Sequence, residues 1–168
     1  MSYQEKKTIV SLVAGLLILA AYCIYVFNKI QSGTAAPDDL KFWATAMLVF
    51  IGIGVVALIV ILIVFHILLS ITMAVKEEML NGEYDDKKIE KTLELDMVED
   101  EMDKLIGLKA MRISYAVVGI GFIAALVSLV LNYSPAVMLN IMFFSFGIGS
   151  MMEGVTQLYF YRRGVRNG

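Results

Sequence analysis

The chain has 168 residues, 59% of them hydrophobic, and a formal net charge of -2. That apolar share exceeds the roughly 45 to 50% of a soluble domain, so a water-soluble core is excluded, and the length allows one bundle without a separate globular domain of ordinary size. No basic patch offers a nucleic acid a footing, and the lone Cys23 rules out an intramolecular disulfide or a cysteine-based metal site.

The first apolar stretch, Thr8 to Phe27, is 20 residues without a charge. A helix needs about 20 such residues to cross a hydrocarbon core of ~30 Å. It exceeds the 7 to 15 apolar residues of an ordinary signal peptide, so it reads as a retained span over about 8–29. Gln31 to Pro37 reads as a short loop, with Asp38 or Asp39 capping the next helix and Phe42 and Trp43 at the membrane interface. The second stretch, 42–75, holds one titratable group, His66. At 1.5 Å per residue its 34 residues reach ~51 Å, beyond the hydrocarbon thickness. The helix is therefore expected to run past the inner interface to about Leu80 and to stop at Asn81-Gly82.

The segment 76–111 carries nearly all the remaining charge, with twelve acidic residues from Glu77 to Asp103 against seven basic ones from Lys76 to Arg112. Asp85 and Asp86 can start a helix. Apolar Ile89, Leu93, Met97, Val98, Met102, Leu105 and Ile106 then follow a helical period. The expectation is a cytoplasmic amphipathic helix from Asp86 to Lys109 between spans 2 and 3, with the chain turning near Gly107. The acids Glu94, Asp96, Glu99, Asp100, Glu101 and Asp103 would be repelled by an anionic inner leaflet. They are therefore expected to face water, a basic protein partner or cations and form a candidate interaction surface. Specific calcium binding is not expected, because the ligand order of an EF-hand is missing.

The stretch from Glu99 through Asp103-Lys104, Lys109-Ala110-Met111-Arg112 and on to Tyr115 resembles the acidic, Lys-Ala-x-Arg juxtamembrane signature of small uncharacterised prokaryotic multi-span membrane proteins. Met102 stands where an Arg commonly follows the Asp-Glu pair in them. The resemblance implies a prokaryotic plasma membrane and brings no activity with it.

From Ile113 to Met152 no charge appears, and Asn132-Tyr133-Ser134-Pro135 divides the run into spans of about 112–132 and 136–161. Ionisable groups within spans cost ~2.5 to 3.5 kcal/mol each at helix centre. Two occur, His66 and Glu153, and counting from the ends of their apolar runs gives them one depth, so they are expected to pair. Ser150, Gly154 and Gln157 extend the face of Glu153 at helical spacing. Gly-Ile-Gly at 52–54, 119–121 and 147–149, with Ser11-x-x-x-Gly15 and Gly121-x-x-x-Ala125, points to close helix packing.

Of 14 Lys and Arg, two precede span 1, two lie between spans 1 and 2, seven fall in the central segment and three follow span 4. Twelve therefore share one side, which the positive-inside rule assigns to the cytoplasm together with both termini. The whole reads as an all-α integral membrane four-helix bundle of the plasma membrane, able to form homo-oligomers through its small-residue faces. With no catalytic triad, zinc motif or Walker sequence, neither enzyme nor cofactor is expected. The functional expectation is a partner, regulatory or sensor subunit using its acidic segment. The alternative is a small oligomeric proton-coupled transporter or channel using Glu153 and His66.

Overall fold

The computed structural model describes residues 2–34, 36, 38–81, 95 and 97–164. Among these the chain is helical, with four helices each long and apolar enough to cross a membrane: α1 (Tyr3–Gln31), α2 (Leu40–Asn81), α3 (Glu101–Val130) and α4 (Pro135–Arg163). Successive helices run antiparallel, so both chain termini lie at one end, the terminal end, and the two short connections at the other, the turn end.

Local chemistry sets the boundaries. Ser2 caps α1 through a reciprocal box with Glu5, satisfying two of the backbone donors a helix start leaves open. At its other end Gly33, at φ 67, closes the helix. The Gly33 amide donates to the Ile30 carbonyl and that of Thr34 to Lys29, the paired bonds of a Schellman motif. The α3 to α4 turn repeats the device with a residue that pays more for a left-handed backbone. Asn132 sits at φ 61, its amide donating to Leu129 and that of Tyr133 to Ser128. Pro135 then opens α4, where a missing amide is tolerated. Asp39 accepts from the Phe42 amide at 2.9 Å, so of the two candidate caps for α2 it is the second that serves.

α3 and α4 form the tightest pair, packed along their lengths because small residues face one another. A Cβ at Gly121 would overlap the Ser145 side chain, and one at Gly149 would lie 3.0 Å from Val118 Cγ2 and 3.2 Å from the Ser114 carbonyl. α1 packs on α4 in the same way, with the Leu12 side chain over Gly154 and Leu19 over Gly147. Gly15, by contrast, has nothing within 4 Å of where a Cβ would be, so Ser11-x-x-x-Gly15 is no packing pair. Two of the three Gly-Ile-Gly runs are likewise asymmetric, Gly54 meeting Ile18 and Gly121 meeting Ser145 whereas Gly52 and Gly119 meet nothing, while in the third both Gly147 and Gly149 pack, on α1 and α3.

α2 is the outlier. No residue of its most apolar 18-residue stretch is buried. It lies along α1, with Gly54 against Ile18 and His66 against Tyr3, and buries side chains only near the turn end, where Trp43 packs with Ala136, Val26, Phe42 and Leu139. Trp43 is buried among these neighbours, and its indole N–H donates to the Ala36 carbonyl at 3.0 Å.

The central segment departs from expectation. α3 does not begin after Gly107 but at Glu101, capped by Asp100 in a reciprocal box with Asp103, and it passes through Gly107 without a turn. A strong cap and a run of good helix formers outweigh one glycine, whose penalty in a helix is ~1 kcal/mol. The expected helix over Asp86 to Lys109 is thus corrected at its C-terminal end. Its start, including Asp86, Ile89, Leu93, Glu94 and Asp96, lies outside the described residues.

Candidate functional site

α3 pairs with α4, α1 packs on α4 and α2 leans on α1, so a cleft opens between α1 and α2 on one side and α3 and α4 on the other. Its volume is about 1040 Å³. Along α1 its lining runs from Gln4 to Leu19, roughly 22 Å of helix rise. The composition is graded. Toward the turn end the walls are apolar, with Ile18, Leu19, Met47, Phe50 and Phe143. In the middle third stand Thr8, Ser11, Ser150, Glu153 and Gln157, and at the terminal mouth Lys7, Glu99, Asp103 and Lys104.

Ser150, Glu153 and Gln157 of α4, expected to share a polar stripe, all line this cleft. The Thr8 hydroxyl donates to Gln157 Oε1 at 3.1 Å. Gln157 Nε2 donates in turn to Glu153 Oε1 at 3.4 Å, so α1 and α4 are stitched by a short polar chain that ends on the Glu153 carboxyl.

His66 does not join it. Its Nε2 shares a 2.6 Å hydrogen bond with the Tyr3 hydroxyl, and its ring lies 5.5 Å from that of Tyr3. The expected pair of His66 with Glu153 is replaced by two separate arrangements, and register explains why. Tyr3 stands level with His66 and Leu12 level with Gly154. Those nine residues of α1 amount to roughly 13 Å, so His66 sits about that much nearer the terminal end than Glu153. α2 continues to Asn81, beyond the bundle, so depth counted from the end of its apolar run misplaces His66.

The acidic surface divides. Asp100 and Asp103 are engaged as caps, the Asp103 amide donating to Asp100 Oδ1 at 2.7 Å and the Asp100 amide to Asp103 Oδ2 at 3.2 Å. Asp103 and Tyr161 of α4 both line the cleft. Glu99 and Glu101 are exposed, while Glu94 and Asp96 lie outside the described residues. The buried Gln4 side chain donates to the Met97 carbonyl at 3.4 Å, tying the start of α1 to the lead-in of α3 at the mouth.

Sequence reasoning missed a further polar contact, between Tyr22 and Asn140. Tyr22 is fully buried, with the rings of Phe50, Phe143 and Phe144 at 5.3, 4.2 and 5.8 Å, and its hydroxyl donates to Asn140 Oδ1 at 2.7 Å. An amide inside an apolar span was the available signal, since such a group needs a partner. Comparisons with protein-family models, with curated proteins and with solved structures found no match to this chain.

Proposed function

We propose that this chain is a four-span plasma-membrane protein with both termini in the cytoplasm, a non-enzymatic sensor or regulatory subunit whose cleft takes a membrane-soluble ligand and whose acidic segment meets a cytoplasmic partner. The membrane reading is supported by four helices of sufficient length and apolarity, and the orientation by the Lys and Arg count at the terminal end. One observation carries the functional reading: Glu99 and Asp103 belong to the acidic segment and also line the mouth of the cleft. A ligand entering there touches the same turn a partner would read, and the Gln4 to Met97 bond couples that turn to α1. The carrier alternative keeps Glu153, which lines the cleft, but loses His66, which does not.

The partner surface is tested on the exposed acids rather than the capping ones. Glu99→Lys combined with Glu101→Lys reverses two charges and leaves the Asp100 and Asp103 box in place. Capture from native membranes is expected to lose a cytoplasmic protein that the wild-type chain retains, at unchanged melting temperature. Identical recovery from both would remove the docking role.

A further inference from the structure

We propose that the cleft is a binding site for a lipophilic monocation, with the positive charge held at Glu153. This rests on the reading of the cleft as a ligand site and adds the ligand's class.

Size argues first. A helix with its side chains is at least about 10 Å across, so 22 Å of one would fill roughly 1,700 Å³. The cleft holds about 1040 Å³, less than that and close to the upper end of the ~300 to 1,000 Å³ range of small-molecule sites, so a small ligand can be enclosed where a helix could only lie along the opening. Sign argues next. At the mouth, Lys7 and Lys104 are matched by Glu99 and Asp103, which leaves no net positive field for the phosphate of a phospholipid. Deeper in, at the level of Leu12, the charge-bearing lining residue is Glu153. Its hydrogen bond from Gln157 is 3.4 Å long, at the weak limit of such bonds, and a carboxylate accepts at up to about four positions. Surroundings argue last. Phe50, Phe143 and Phe146 line the same cleft toward the turn end, and this apolar half receives the hydrocarbon body while the charge stays at Glu153. A half-buried acid in an apolar span otherwise stands at a substantial insertion penalty, which a bound cation offsets.

The test uses the full-length chain in detergent and two probes of one shape and opposite charge, tetraphenylphosphonium and tetraphenylborate, followed by calorimetric titration. The cation is expected to bind and the anion not. Glu153→Gln is expected to weaken cation binding at least about tenfold, the factor corresponding to 1.4 kcal/mol, and Glu153→Asp to retain most of it. Gly15→Leu fills open space in the lining and is expected to abolish binding without lowering the melting temperature. Equal binding of both probes, lost in Gly15→Leu, would overturn the charge assignment while leaving the cleft a ligand site. Binding that neither substitution alters, or no binding of the cation, would overturn the proposal. Retention of a phospholipid by native mass spectrometry, displaced by Gly15→Leu and not by the cation, would assign the cleft to lipid instead.

Discussion

Tyr22 shows how one side chain can join three helices. Its ring touches phenylalanines of α2 and α4, and its hydroxyl supplies the hydrogen that Asn140 Oδ1 needs. Asn140 Nδ2 turns back to the Ala136 carbonyl at 2.9 Å, so the amide is satisfied on both sides. Interhelical hydrogen bonds within membranes average ~0.6 kcal/mol and reach ~1.7. Tyr22→Phe is expected to destabilise by about that amount, read as a lowered melting temperature in detergent. Because most of the effect is an acceptor left unmet, Tyr22→Phe with Asn140→Leu should lose less than the two single changes added together. Additivity would show that the contact carries no coupling. At this scale sequence was a partial guide. Glu153, Gln157 and Ser150 share a face because helical periodicity requires it, and they line one cleft. The partner of His66 was illegible, since it depends on how far α2 slides along α1, which no pattern within either helix encodes.

Helices, their polarity and their turns follow from local chemistry: apolar length, Asn-Tyr-Ser-Pro at 132–135, Gly33 and the capping acids. The start of α3 departs from the turn expected near Gly107 because the reciprocal cap at Asp100, seven residues earlier, outweighs glycine's penalty of ~1 kcal/mol. Which glycines pack was also hidden, because each Gly-Ile-Gly presents its two glycines about 200° apart around the helix. That difference is testable on α3. Gly121→Val drives a branched side chain into Ser145 and is expected to cost at least the ~1 to 3 kcal/mol of an overpacked core, read by thermal unfolding. Gly119→Val, two residues away where nothing lies within 4 Å, should leave the melting temperature unchanged. Equal effects would mean that α3 and α4 do not meet on the Gly121 face.

The molecule as a whole divides into a close-packed core, α3 with α4 and α1 laid on it, and a loosely attached α2. Its exposed apolar surface includes Leu48, Val56, Ile59, Ile63 and Leu68 of α2 and Ile120, Ile123 and Val130 of α3, which a lipid solvent would accept and water would not. Cysteines placed singly at Ser2, Thr34 and Gly164 of a Cys23→Ser chain are expected to report the topology. In intact cells a membrane-impermeant thiol reagent should label only the position at 34; labelling at 2 or 164 instead would invert it. The buried indole at the turn end has a spectroscopic consequence. Trp43 is the chain's single tryptophan, so emission excited at the red edge of absorption, beyond the tyrosines, originates at one spot, the seam where the outlying helix meets its neighbours. Its quantum yield and wavelength register detachment of that rod during denaturation and are nearly blind to events at the distant charged mouth, giving a built-in gauge for one of the two and not the other.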